Sequence, residues 1–251
     1  MQILNYSTVE NIVMTTIKNL IRNDTTCEPL IKVLTDQNLY SHSIEVAQYS
    51  VALALYFNKD EKTLVDIAQA GLLHDFGKVF IDRKILYKPG RLTPEEFEVV
   101  KEHPTKGYIN LIELMGTKKD TLVLNAIKKH HETMNGVGYP NHLFVSDFEI
   151  QIISVADILS ALTEVRVYKE AMYLSKAREI LEEKVVKGEL DNSIVEAISY
   201  VFVDEYEIYD IHTKAASFFR KYFKQQQKNL DAWRSNLYIF ENKEGDKDGS
   251  E

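Results

Sequence analysis

Cysteine is almost missing from this 251-residue chain, which carries Cys27 alone. A single thiol closes no intrachain disulfide and supplies no thiolate cluster, so a reducing compartment fits and any metal would be held by histidine and carboxylate. Proline and glycine are also sparse, at five and ten residues, and most fall between residues 71 and 140. Little of the sequence alternates as a strand does, and helical periodicity runs on with few interruptions. An excess of basic residues is missing too. The formal charge of −8 argues against polymeric DNA or RNA as a partner, although a local positive pocket still suits a small anion. No apolar run reaches membrane-spanning length. The amino terminus, MQILNYSTVENIVMTTIKNLIRND, lacks the basic start and continuous apolar stretch of a secretory signal. With 45% hydrophobic residues the chain can bury a sizeable core, and the expectation is a cytoplasmic, helical, globular protein that does not enter a membrane.

The helices read as follows. Residues 8 to 35 form one or two amphipathic helices, and YSHSIEVAQYSVALALYF, residues 40 to 57, forms a well-buried one. TLVDIAQAGLLHD follows, then a loop from Lys84 to Gly90. In LTPEEFEVVKEH, Thr93 is the N-cap, Pro94 takes the first helical position and Glu96 completes a capping box. Pro104 can begin a helix but not continue one, which puts His103 at a junction. TLVLNAIKKHH ends at the glycine-rich turn from Asn135 to Pro140, DFEIQIISVADILSAL is largely apolar, and two more helices run from Ser175 to Val203.

His42, His74, His103, His130 and His131 all fall at junctions between polar and apolar stretches, whereas His142 lies in a turn and His212 in the carboxy-terminal segment. Any one histidine is more simply a hydrogen-bonded structural residue. Their joint appearance with Asp75 and Asp157 points instead to metal ligation. Asp157 sits in IISVADILSAL, flanked on both sides by Val, Ala, Ile and Leu. A carboxylate buried there needs a partner, a metal or else an arginine or a helix end. Adjacent His130 and His131 diverge by about 100° on an ideal helix, so both reach one ion only near a helix end. The plainer alternative for this pair is a polar helix terminus whose histidines offset the dipole.

These motifs resemble a known family. His74, Asp75, Gly77 and Lys78, then His103 and Pro104, His130–His131–Glu132, and NGVGYP at residues 135 to 140 follow the ordered signature of the HD-GYP branch of the HD-domain phosphohydrolases. SVADILSALTEVRVYK continues the likeness, which covers roughly residues 38 to 185. The resemblance implies an all-α fold, the HD-domain helical bundle, and a phosphodiesterase that hydrolyses a cyclic dinucleotide, most often cyclic di-GMP. It implies two divalent ions, iron or manganese. One would be held by His42, His74, Asp75 and Asp157, and the other by Asp75, His103, His130 and His131, with Asp75 bridging. Five neutral imidazoles, two carboxylates and two divalent ions sum to a charge of about +2, which suits a hydroxide and a phosphodiester anion.

Asp75 and Lys78 are the candidate catalytic residues, and Lys78, Gly136, Tyr139, Arg166 and Lys169 the candidate substrate contacts. Each has a plainer reading. Lys78 contacts phosphate or pairs with Asp75, one helical turn away. Gly136 and Gly138 bring backbone near a ligand or serve a turn needing positive φ. Tyr139 faces a base or anchors its loop. Arg166 and Lys169 bind phosphate or are surface charges, and Arg166 reaches the site only if the helix carrying Asp157 ends before it. The chain departs from the family pattern at Asn135, Ser160 and Glu164, where the family has aspartates, and at Asn38, where a third-metal glutamate stands in some relatives. The Ser160 departure bears on substrate orientation and proton delivery more than on metal binding. It also leaves open a cyclic-dinucleotide receptor with little turnover, and an HD-domain di-iron oxygenase is a third alternative. The expected organisation is an amino-terminal helical segment over 1–37, the catalytic domain over 38–204, a helical extension over 205–240 through which a homodimer would form, and a disordered tail over 241–251.

Overall fold

The computed structural model describes residues 6–22, 33, 36–115, 121–163 and 172–202, and these are all-α, with one isolated bridge between Thr133 and Phe144. The helices are α1 (Tyr6–Arg22), α2 (Gln37–Tyr56), α3 (Glu61–Leu73), α4 (Arg83–Leu86), α5 (Pro94–Val100), α6 (His103–Met115), α7 (Leu122–Lys129), α8 (Phe148–Thr163), α9 (Leu174–Val186) and α10 (Asn192–Val201), with a 3₁₀ turn at Phe76–Phe80 between α3 and α4. No helix among the described residues is long and apolar enough to cross a membrane.

Two helices make the centre. α2 buries Ile44, Val46, Ala47, Tyr49, Val51, Ala52, Leu53 and Ala54, and α8 buries Ile150, Ile152, Ile153, Val155, Ala156 and Leu159. A helix apolar on nearly every side belongs inside, which is why both are wrapped by neighbours. α2 packs on α1, α3, α8 and α10, while α7 and α9 pack against α8. The 3₁₀ turn packs on α6, and α6 on α7.

The capping box at α5 forms with both of its bonds, Glu96 N–H donating to Thr93 Oγ1 and Thr93 N–H donating to Glu96 Oε2. Three other expectations concern where helices stop or start. α3 ends at Leu73 with His74 as C-cap, α7 ends at Lys129 with His130 as C-cap, and α6 begins at His103. One differs: the stretch read as a loop from Lys84 holds the single helical turn α4, capped by Asp82, whose carboxylate accepts from Lys84 N. Four residues carry no readable apolar period, so only the cap could have announced the turn. Glu164, Arg166 and Lys169, the extension 205–240 and the tail 241–251 lie outside the described residues.

Candidate metal centre

Five helix ends or helix faces bring the histidines and aspartates together. His42 comes from α2, His74 and Asp75 from the end of α3, His103 from the start of α6, His130 and His131 from the end of α7, and Asp157 from the middle of α8. Asp75, at φ −92 and ψ 9, lies in the sparsely populated bridge between the helical and extended regions, where residues of functional sites are often found. The following 3₁₀ turn brings Lys78 back over Asp75, because residues three apart eclipse one another in that geometry.

Gly77 explains how the two halves of the site approach. A Cβ at this position would lie 1.8 Å from the carbonyl oxygen of His103 and 2.7 Å from Gly107 N. The backbone of the 3₁₀ turn therefore rests directly on that of α6, with no room for a side chain, and Asp75 is set beside His103.

Asp75 divides its oxygens between two groups of histidines. Oδ2 lies 3.3 Å from His74 Nε2 and 3.6 Å from His42 Nε2. Oδ1 lies 3.2 Å from His103 Nε2 and 3.8 Å from His130 Nε2. Asp157 closes the other side, with Oδ1 at 2.9 Å from His42 Nε2 and 3.7 Å from His74 Nε2, and Oδ2 at 3.7 Å from His131 Nδ1. The seven side chains expected from the sequence thus converge. Their donor atoms fall into sets within 4.8 Å of one another: Asp75, His103, His130 and His131; His42, His74 and Asp75; and His74, His130 and Asp157.

The hydrogen bonds behind the rings fix which nitrogen carries the proton. His74 Nδ1 donates to the carbonyl of Gly71 at 2.8 Å, His103 Nδ1 to that of Val100 at 2.8 Å, and His130 Nδ1 to that of Ala126 at 2.9 Å. A carbonyl only accepts, so each Nδ1 bears hydrogen and, in the neutral ring, each Nε2 turns a lone pair inward. His103 Nε2 and His130 Nε2 then face each other at 3.2 Å, with Asp75 Oδ1 as the third atom of the group. Three acceptors in contact need a cation or an added proton among them. His74 Nε2 and Asp75 Oδ1 are buried without a hydrogen-bond partner. This donor set fits divalent cations.

The protonation of the protein alone shows the same demand for positive charge. Burial pulls the His74 imidazole down, yet the Asp75 and Asp157 carboxylates outweigh it and raise the pKa to about 10. Burial works against both aspartates as well. Lys78 and His74 nonetheless hold Asp75, and His42 and His74 hold Asp157, well below the usual carboxylate range. His130, buried and next to His74 and His103, falls to about 3, and His131 is also depressed, by burial and by His130. The cluster keeps two carboxylates charged by loading a proton on His74. A metal ion would replace that proton.

Solvent reaches the cluster beside His131 and Lys78, whose side chains are 20% and 22% exposed, whereas those of His74, His103 and His130 are at 0%. Lys78 Nζ lies 2.5 Å from Asp75 Oδ2, so the ion pair anticipated as the plainer reading forms, on a carboxylate that also faces the histidines. Tyr139 stacks on His131 with centroids 4.5 Å apart, and its amide donates to the His131 carbonyl. Beyond it stand Phe97, and Lys101 over both rings. Gly138 allows this contact, since a Cβ there would lie 2.3 Å from the His131 carbonyl oxygen. Gly136, at φ +75, turns the chain against Phe144, so the turn accounts for it. Glu132 points away from the cluster and accepts from the amides of Asn141 and Leu143. Asn135 donates through Nδ2 to the Lys187 carbonyl, a bond that an aspartate could not make.

Glu45 escaped the sequence reading, and Ser160 was read for a different role. Ser160 Oγ lies 2.9 Å from His42 Nδ1 and donates to Glu45 Oε2 at 2.9 Å. Ser160, expected to bear on substrate rather than on the ligand set, touches one of the cluster histidines. Glu45 was open to the argument applied to Asp157, because it is a carboxylate inside an apolar helix, three residues from His42.

The family model of the HD domain matches residues 13–194. A 3′3′-cGAMP-specific phosphodiesterase 1 of Vibrio cholerae is 31% identical over 164 residues, 64% of this chain and 37% of that protein. A cyclic di-GMP phosphodiesterase of Thermotoga maritima is 33% identical over 182 residues, 71% of this chain and 48% of that protein. The chain therefore spans between 37% and 48% of the length of these two curated relatives. Among solved structures, Bd1817, an HDG"Y"P protein from Bdellovibrio bacteriovorus, superposes with a TM-score of 0.56 at 22% identity, over 80% of this chain and 65% of that one, which supports the fold. With the family model covering most of its length and the ordered motifs in place, the chain belongs to the HD-domain family, as an HD-GYP phosphodiesterase-like member.

Proposed function

We propose that the chain is a metal-dependent phosphodiesterase that hydrolyses a cyclic dinucleotide, with cyclic di-GMP as the first candidate. The observation that carries this reading is the divided carboxylate of Asp75, one oxygen toward His42 and His74 and the other toward His103 and His130. Such a carboxylate would serve two ions at once. His42, His74, Asp75 and Asp157 would hold one, and Asp75, His103, His130 and His131 the other. Imidazole and carboxylate ligands without thiolate suit iron or manganese. When bound, the pair lowers the pKa of a shared water and polarises the phosphate.

The protein's own groups do the rest. The backbone carbonyls of Gly71, Val100 and Ala126 keep three imidazoles in the tautomer that faces inward. Lys78, partly exposed beside Asp75, offsets charge on the phosphate and on the departing oxygen. Tyr139 holds His131 in place by stacking. Arg166 and Lys169 are proposed as further phosphate contacts on the strength of the family pattern. The names of the relatives support a cyclic dinucleotide as substrate, and the relatives' whole-chain activities enter here as part of the proposal.

The test is elemental analysis followed by hydrolysis of cyclic di-GMP, cyclic GMP-AMP and cyclic di-AMP by protein loaded with manganese or with ferrous iron kept reduced. Two ions per chain and turnover of one substrate are expected. Lys78→Ala should keep both ions and slow single-turnover hydrolysis by about 10²- to 10³-fold, the usual loss for one transition-state contact. Full metal sites with no hydrolysis of any of the three would overturn the reading.

A further inference from the structure

Glu45 and Ser160 lie on α2 and α8, 115 residues apart, and meet on the side of His42 that faces away from the cluster. The serine hydroxyl has one hydrogen, and it goes to Glu45 Oε2 at 2.9 Å. Toward His42 Nδ1, also at 2.9 Å, the same oxygen can then only accept. Nδ1 therefore carries the hydrogen, and Nε2, 2.9 Å from Asp157 Oδ1, needs a cation or an added proton between the two acceptors. All three side chains are buried, where a low dielectric strengthens each bond and lets linked bonds polarise one another.

His74, His103 and His130 are fixed differently, each by a backbone carbonyl. A carbonyl sets the tautomer. A carboxylate at the end of the chain of bonds also draws the Nδ1 proton outward and makes the opposite nitrogen more basic. His42 alone of these four leans on such a chain, Nδ1–H to Ser160 Oγ–H to Glu45.

We propose that Glu45, acting through Ser160, is a positioning residue that locks His42 in its Nδ1–H form and raises its affinity for a divalent cation. The inference rests on the metal-centre reading above, and Glu45 itself touches neither ion nor substrate.

Manganese affinity, measured on the full chain by competition with a chelator, is the first readout. Glu45→Gln and Ser160→Ala should each weaken one manganese site by about 10- to 100-fold, the usual range for groups that orient a ligand. The double variant should be no worse than the singles, because both break the same chain. Rescue is the second readout. Ser160→Asp in the Glu45→Gln background sets a carboxylate directly on Nδ1 and should recover affinity. Metal-free unfolding temperatures of the same samples separate a lost fold from a lost ligand. A third readout needs no variant at Glu45 or Ser160: histidine ¹⁵N spectra of the zinc-loaded parent should show hydrogen on His42 Nδ1.

Single variants within twofold of the parent affinity, a failed rescue in a folded double variant, or a bare Nδ1 would each overturn the proposal. If the parent binds two ions and Glu45→Gln binds them equally well, this inference falls and the phosphodiesterase reading stands. A parent that binds no metal sinks both.

Discussion

Asp75 is the residue on which both halves of the cluster depend. Its carboxylate is buried and faces His42, His74, His103 and His130 within 3.8 Å, with Lys78 paired to Oδ2. A group shared in this way makes a sharp prediction. Asp75→Ala should leave neither ion bound, while His42→Ala should mainly weaken the ion on its own side, because His42 faces Oδ2 alone. Counting metal per chain by elemental analysis in both variants checks this. Equal losses from the two would contradict a bridging Asp75. The sequence already pointed to this residue through its burial, since a charged group at the end of an apolar helix needs partners. What no spacing could show was the division of its two oxygens, which depends on α6 and α7 arriving from the other side.

At the scale of elements, the site is made mostly from helix ends. Those ends were legible because local chemistry writes them: Pro104 fixes the start of α6, and the glycine-rich turn after His131 relieves the divergence of two adjacent histidines. The capping box at Thr93 and Glu96 was legible for the same reason. The bond from Ser160 to Glu45 was not, since it joins two helices across 115 residues. The helical turn of α4 was missed because it is too short to carry a period. Gly77 belongs to this scale, as the point where the 3₁₀ turn lies on α6. Gly77→Ala would set a methyl 1.8 Å from the His103 carbonyl oxygen, so one backbone must move away. Overpacking of this kind costs about 1–3 kcal/mol. The expected outcome is a lower unfolding temperature and a selective loss of the ion held by His103, His130 and His131. Unchanged melting and unchanged metal content would show that the contact does not position the site.

The whole molecule has its stability tied to the protonation of this cluster, and the signs differ from group to group. His130, depressed to about 3, and His131, also depressed, stay neutral in the fold. The unfolded chain protonates them below about 6.5, so each costs stability as pH falls beneath that value, by up to about 1.4 kcal/mol per pH unit. Asp75 and Asp157, held well below 3.8, contribute stability above that value and lose it in stronger acid. His74, raised to about 10 in the metal-free protein, runs the other way. Its contribution is complete below about 6.5 and is lost as pH rises through 10. To hold a metal ion, His74 would have to give up its proton, and His130 and His131 would have to be neutral. Loading is therefore costly in mild acid, where His74 holds its proton firmly, and becomes easier as pH rises. A ligand that binds only the folded chain stabilises by about 2.7 kcal/mol at a hundred times its Kd. At fixed free manganese, buffered by a chelator, the gain in unfolding temperature over the metal-free protein should thus grow between pH 6 and pH 9. Thermal melts of paired loaded and stripped samples across that range measure it. A gain that stays flat or shrinks with rising pH would mean that the ion does not replace the His74 proton.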